Sequence, residues 1–179
     1  EEGRRQGAKG LVITNAPDSP LARAAEWVID IHAGVEAAVA ATKTYTTELL
    51  AIAMLAAAMQ PDAARRAELS AALRQVPGWV STVLAEQERV ARLAERYRYM
   101  ERCVVLGRGY NYATAFEWSL KLKELTYVVA EPYSSADFQH GPIAIVESGF
   151  PVLTIAPSGR VYENFLPLLQ KLRRQNKAE

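Results

Sequence analysis

Short apolar runs alternate along the chain with longer amphipathic stretches. The runs at residues 11–15, 27–31, 103–106, 128–132 and 151–156 are rich in β-branched residues and are bounded by turn-forming residues, which is typical of buried strands. Strands that alternate with helical segments predict a parallel sheet covered on both faces. The pattern therefore predicts an α/β fold with a flavodoxin-like parallel sheet and helices on both faces.

Helical periodicity fills most of the remaining sequence. Helices are predicted over residues 42–59, 62–75, 79–97, 112–127 and 161–176, with a short helical turn at residues 21–25. Pro61 ends the first long helix, and Pro77 with Gly78 is predicted to separate the next two. The sequence begins with polar residues that lead directly into the first strand, and it ends with a helix, after which an αβ unit would place a strand. Both features predict that the sequence is an excised segment of a longer chain.

Composition excludes several classes of protein. Half of the 179 residues are hydrophobic and 23% are charged, which is typical of a globular chain. The net charge is +1, so the chain has no overall positive potential that would attract nucleic acid or an anionic membrane. The longest near-apolar run, residues 49–59, is too short for a bilayer span of about 20 residues. We therefore predict a cytoplasmic protein with neither nucleic acid nor membrane as a partner.

The metal-ligating residue types are scarce. Cys103 is the single cysteine, and His32 and His140 are the two histidines, which excludes a disulfide framework within the chain and a multi-cysteine zinc site. No metal is predicted. Cys103 belongs to a predicted buried strand, so it is not a candidate nucleophile.

Three charged residues share one face of the predicted helix 112–127. Glu117, Lys121 and Glu124 stand at positions i, i+4 and i+7, within about 60° of one another around the helix. Large apolar side chains flank them. Spacing alone fits an exposed row of salt bridges better than a catalytic row, so both interpretations stay open.

A polar loop, EPYSSADFQHGP at residues 131–142, follows a predicted strand. In open α/β sheets ligands bind at the carboxyl ends of the strands, and a histidine there can move a proton near neutral pH. His140 is equally well explained as a surface residue at a turn.

Two further patterns suggest anion binding without requiring it. The threonines at residues 42–47 crowd a helix start, where free N–H groups favour either an anion or a simple N-cap. Gly107 and Gly109 permit a sharp strand-to-helix turn, but Tyr112 stands where a dinucleotide fingerprint needs its third glycine. We therefore predict no NAD site.

Together these strings resemble the sugar isomerase (SIS) family, and within it the aminotransferases and deaminases that act on aminosugar phosphates. The resemblance is carried by VAATKTYTTELL, LGRGYNYATAFEWSLKLKELTY, AEPYSSADFQHGP and PVLTIAPSG. It is most specific in LKLKE and HGP and loose over residues 62–97.

The resemblance implies a role for six residues. Glu124 would be the base that carries a proton between carbons 1 and 2 of the sugar, and His140 would assist ring opening. Lys121 and Glu117 match positions near the sugar and its proton-transfer network. The backbone of Val39 and Ala41 would lie near the bound sugar phosphate. The implied partners are a phosphosugar substrate and a second copy in a homodimer, with no cofactor.

The chain departs from the family pattern at its ends. The Ser/Thr-rich phosphate loop, the closing strands of the second half and the C-terminal lysine loop have no counterpart in the sequence. We therefore expect an incomplete SIS fold. Residues 1–98 would be the end of one SIS unit plus a helical connector, and residues 99–179 the start of the next. This segment alone would bind sugar phosphate weakly or not at all.

Three functions remain after this comparison. The first is an enzyme that interconverts fructose 6-phosphate and glucosamine 6-phosphate, with amination or deamination. The second is a non-catalytic SIS module that senses a phosphosugar. The third disregards the resemblance: a flavodoxin-like assembly module, in which Glu117, Lys121 and Glu124 would be fully solvated. Retention of both Glu124 and His140 favours the enzyme, because a sensor needs no base.

Overall fold

The computed structural model describes residues 2–179 and divides the chain into two compact units, one ending at Val90 and the other spanning Ala91–Glu179. The strands are β1 (Leu11–Thr14), β2 (Trp27–Asp30), β3 (Arg102–Gly107), β4 (Val129–Ser134) and β5 (Val152–Thr154). The helices are α1 (Glu2–Arg5), α2 (Pro20–Arg23), α3 (Lys43–Ala58), α4 (Ala63–Leu73), α5 (Val76–Ala85), α6 (Gln87–Ala94), α7 (Asn111–Thr126) and α8 (Arg160–Arg174).

The first unit is built on a parallel pair of strands. β1 and β2 pair with Leu11 opposite Trp27, and α2 connects them after Ser19 caps its start by accepting a hydrogen bond from the Ala22 N–H. The long helix α3 packs against β1. The two strands and the helix predicted for this part of the sequence are confirmed, but the burial expected of the strands is wrong: Leu11 of β1 is 41% exposed, and β1 and β2 contain no buried residue.

The second unit contains a three-stranded parallel sheet in the order β4-β3-β5. Val104 and Leu106 of β3 pack in one core cluster with Phe165 of α8. Cys103 and Val105 pack in a second cluster with Ala115 of α7. Because alternate residues of a strand point to opposite faces, the two helices cover the two faces of this sheet, as the sequence predicted.

Small residues bring α7 close to the sheet. Ala115 and Ser119 are completely buried, and the Ser119 hydroxyl donates a hydrogen bond to the Ala130 carbonyl of β4 at 2.5 Å. This bond satisfies a buried polar group and fixes the rotation of α7 about its own axis. The rotation decides which side chains of α7 face outward.

The connector between the two sheets is more broken than the sequence predicted. The expected break at Pro77 and Gly78 is wrong: Pro77 lies in the first turn of α5 and Gly78 inside that helix. A first-turn proline loses no hydrogen bond, because N–H groups there have no helical partner. The helix predicted over residues 79–97 is instead interrupted at Glu86 and ends in a 3-10 turn over Glu95–Tyr97. Within residues 2–179, none of the helices has the length and apolarity needed to cross a bilayer.

Candidate functional site

The charged row on α7 forms a connected group. The Lys121 ammonium lies 3.1 Å from a Glu117 carboxylate oxygen and 3.0 Å from a Glu124 carboxylate oxygen. The side chains of Glu117, Lys121 and Glu124 are 19%, 18% and 33% exposed, respectively. The structure therefore brings together three of the predicted site residues, with the lysine between two carboxylates.

This row is not an ordinary solvated surface row. It lies on the side of α7 away from the buried Ala115 and Ser119, yet most of the area of its side chains is shielded from water. The assembly module predicted that Glu117, Lys121 and Glu124 are fully solvated, and this prediction is wrong. Exposed apolar side chains, Phe116 and Leu120, share this outer part of the helix, so the charges stand in partly apolar surroundings.

Lys121 is held in its charged form. The hydrogen bond that it donates to Glu124 is the main cause that raises the pKa of the Lys121 ammonium, and the bond to Glu117 adds to it, while burial acts in the opposite direction. A lysine with a raised pKa stays protonated at neutral pH. In this row Lys121 can therefore donate a hydrogen bond or stabilise negative charge, but it cannot serve as a base.

The loop that carries His140 is firmly anchored. His140 is the last residue of a 3-10 turn over Asp137–His140. Phe138 within that turn is completely buried, and its ring lies 5.4 Å from the ring of Tyr133. The Gln139 side-chain amide donates to the Ser135 carbonyl at 3.0 Å. His140 itself is exposed.

Within a single chain, the fold does not place His140 beside the charged row. Phe138 packs in the core cluster on the α8 side of the sheet, whereas the row belongs to α7 on the other side. In addition, Glu124 lies in the last turn of α7, near the amino edge of the sheet, while His140 follows β4 at the carboxyl edge. Glu124 and His140 of one chain are thus separated by the sheet.

Val39 and Ala41 lie in the first unit, in the segment between β2 and α3. Val39 is fully exposed and its neighbour Ala40 is buried. Thr42 makes no side-chain cap at the start of α3, so simple capping by that residue is wrong. A Glu36 carboxylate oxygen instead accepts a hydrogen bond from the Thr44 N–H at 3.1 Å. The carboxylate of Glu36 therefore occupies the position at the start of α3 where an anion was expected.

Cys103 is a structural residue, as its strand position predicted. It is buried in the second core cluster, and burial raises the pKa of its thiol to about 11. Because the thiolate is the reactive form, we expect iodoacetamide at pH 8 to leave the native protein unmodified. The same treatment in guanidinium chloride should add one label. Rapid labelling of the native protein would contradict this burial.

Within residues 2–179 there is no group of three or more His, Cys, Asp or Glu side chains that could hold a metal ion. The charged groups that α7 offers form an ion-paired acid–lysine–acid row. The resemblance to sugar isomerases implied this arrangement, in which a parallel sheet is covered by a helix that carries the charged row.

Comparison with known proteins defines the family. The family model described as the SIS domain matches residues 1–58 and 97–178, so the chain belongs to the SIS domain family. The part between these two segments is the helical connector, where the resemblance of the sequence is loose.

The most informative relatives are aminotransferases. Glutamine–fructose-6-phosphate aminotransferase [isomerizing] of Thermus thermophilus is 40% identical over 179 residues, which covers 96% of this chain and 29% of that protein. The enzyme of the same name from Thermosynechococcus vestitus is 40% identical over 182 residues, with coverages of 95% and 29%. The chain spans less than a third of the length of these two curated relatives.

A solved structure matches the whole fold. The C-terminal domain of glucosamine-fructose-6-phosphate aminotransferase from Francisella tularensis superposes with a TM-score of 0.94 at 29% sequence identity. The match covers 99% of this chain and 51% of that one. The expected SIS fold is thereby confirmed.

Proposed function

We propose that this chain is part of a phosphosugar isomerase domain that interconverts fructose 6-phosphate and glucosamine 6-phosphate. Membership of the SIS family and 40% identity to aminotransferases of that substrate class support the proposal. The observation that carries it is the row on α7, in which Lys121 bridges Glu117 and Glu124 while their side chains are at most 33% exposed.

In this proposal each residue of the row has a separate task. Ammonia from a nitrogen donor condenses with the carbon 2 carbonyl of the open-chain ketose and releases water; Glu124 then takes a proton from carbon 1 and returns a proton to carbon 2, as the isomerisation requires. Lys121, protonated and held by Glu117 at 3.1 Å, stabilises the negative charge that develops on the adjacent oxygens. His140 assists ring opening by proton transfer. The backbone of Val39 and Ala41 lies near the sugar phosphate. No cofactor is required for these steps.

The proposed assembly is a homodimer in which a site takes residues from two copies. Phe138, two residues before His140, packs on the α8 side of the sheet, whereas Glu124 belongs to α7 on the other side, so a second copy is the simplest source of the imidazole. We infer further that residues 1–98 and 99–179 belong to two successive SIS units. The proposed location is the cytoplasm, in agreement with the single buried thiol.

A complementation experiment tests the shared site. Glu124→Gln and His140→Asn should each be inactive as pure proteins. After co-refolding in equal amounts, random pairing makes half of the dimers mixed, each with one intact site, so about a quarter of the wild-type activity should return. Sedimentation should give twice the chain mass of the protein used. A monomer, or a mixture that stays inactive, would refute the shared site.

The function is tested by turnover and binding together. In the protein that carries this chain, we expect conversion of fructose 6-phosphate to a hexosamine 6-phosphate when a nitrogen donor is supplied, or the reverse reaction. Binding of fructose 6-phosphate should be measurable by calorimetry. Binding without any turnover would favour the sensing module. The absence of both binding and turnover would contradict both functions.

A further inference from the structure

Side-chain hydrogen bonds hold the backbone of the segment between β2 and α3 of the first unit. Residues 31–42 form neither helix nor strand. They include Val39 and Ala41, the two residues proposed above to lie near the sugar phosphate. We refer to residues 32–42 as the clamped loop, because three side chains of the first unit hold it.

Asn15 holds the beginning of the clamped loop. It directly follows β1, and its side-chain oxygen accepts a hydrogen bond from the Ala33 N–H at 2.9 Å. Its side-chain nitrogen donates to the Gly34 carbonyl at 2.7 Å. One amide group thus bonds the backbone at two successive residues. The positive φ angle of His32, 49°, is a conformation that side-chain-bearing residues rarely adopt and that needs such external support.

Glu36 and Lys43 hold the middle of the clamped loop against α3. One oxygen of Glu36 accepts hydrogen bonds from the Thr44 N–H at 3.1 Å and from the Thr44 hydroxyl at 2.9 Å. The Lys43 ammonium donates to the Val35 carbonyl. The first turn of α3 and the loop are therefore joined by side chains from both sides.

The end of the clamped loop is a tight turn with a buried anchor. The Ala41 N–H donates to the Val39 carbonyl at 2.9 Å, which closes a three-residue turn of the γ type. Ala40 at its centre is 5% exposed, whereas Val39 is fully exposed. The turn is thus fixed by its own hydrogen bond and by the burial of one methyl group.

We propose that Asn15 and Glu36 are positioning residues, which hold the clamped loop in its ligand-binding conformation before the phosphosugar arrives. This inference rests on the proposed function, because that function places Val39 and Ala41 at the sugar phosphate. A loop that is ordered in advance loses less conformational freedom on binding. Removing its supports should therefore weaken binding of the sugar and leave the proton transfer at Glu124 largely unchanged.

The test uses variants of the protein that carries this chain, assayed with fructose 6-phosphate. Asn15→Leu removes both hydrogen bonds at similar volume, and we expect the KM to rise about tenfold with kcat changed less than about twofold. Asn15→Asp keeps the acceptor for the Ala33 N–H and should raise the KM only about threefold. Glu36→Ala should raise the KM about tenfold, and Glu36→Gln, which keeps the acceptor oxygen, should restore most of the affinity.

Asn164→Leu is the matched control. The Asn164 amide donates to a backbone carbonyl, that of Arg160, at 3.3 Å on the surface of α8, so this variant removes a similar bond away from the clamped loop. Its KM should be unchanged. Amide hydrogen exchange at residues 33–41 gives a second readout, which should speed up strongly in Asn15→Leu and Glu36→Ala, more weakly in Asn15→Asp, and not in the control.

The results separate failure of this inference from failure of the function. An unchanged KM in Asn15→Leu and Glu36→Ala would overturn the positioning role. A lower kcat that is fully explained by a smaller fraction of folded protein would also overturn it. In either case an active wild-type enzyme and an inactive Glu124→Gln variant would leave the proposed function intact. If Asn15→Leu does not fold, Asn15→Asp with its exchange data decides the question.

Discussion

Replacing Glu124 with glutamine is expected to lower the rate of isomerisation by about 10²- to 10⁴-fold, the range that general acid–base catalysis contributes. The amide keeps the volume of the carboxylate and can still accept a hydrogen bond from Lys121, which lies 3.0 Å away in the native row. It cannot take up a proton from carbon. Calorimetric affinity for fructose 6-phosphate should change less than about threefold, because the substitution removes the base and not the phosphate contacts.

A similar pair elsewhere in the chain provides the control for this variant. Glu68 of α4 pairs with Arg65 at 2.6 Å, also three residues apart, but the side chain of Glu68 is 68% exposed. Glu68→Gln should leave both turnover and binding unchanged. Wild-type turnover by Glu124→Gln would remove the assignment of the base, and loss of affinity in parallel with the rate would show that Glu124 binds the sugar instead.

Replacing Gly107 with alanine is expected to lower the free energy of unfolding by about 3 kcal/mol or more, a large effect for one methyl group. An added Cβ at Gly107 would lie 2.1 Å from the Asn111 carbonyl oxygen and 2.7 Å from its carbon. Both are backbone atoms in the first turn of α7, so no side-chain rotation can relieve the clash. The helix start must shift, and with it the row that α7 carries.

Gly78→Ala is the control for this effect, since an added Cβ there meets nothing within 4 Å. Gly78 lies inside α5, where alanine should raise helix stability by about 0.5–1 kcal/mol. Urea unfolding followed by circular dichroism measures both variants. Equal stabilities for Gly107→Ala and the wild type would show that the turn between β3 and α7 is looser than the structure describes.

Much of the fold follows from local pattern. The β-branched runs became β1 to β5 by pairing in parallel sheets, with burial concentrated in β3, and Gly107 allows the close approach of α7. The helix breaks at Pro77 and Gly78 were misplaced. Proline and glycine do mark helix boundaries, but a first-turn proline begins a helix as readily as it ends one.

The site is less accessible to sequence reasoning than the fold. The spacing of Glu117, Lys121 and Glu124 predicts a shared face, but their shielding depends on neighbours that no local pattern specifies. Asn15 and Glu36 gave no signal, because their hydrogen-bond partners lie 18 or 19 and 8 residues away and are mostly backbone groups. That the sheet separates His140 from Glu124 likewise required the topology.

The central claim is that α7 presents Glu124 to a phosphosugar as the proton-transferring base. The most direct measurement is a crystal structure of the protein that carries this chain with fructose 6-phosphate bound. We expect one Glu124 carboxylate oxygen within about 3.5 Å of sugar carbon 1 or 2, and the imidazole of His140 from a second copy beside the ring oxygen. A sugar bound elsewhere, with the carboxylate of Glu124 facing only solvent, would contradict the claim.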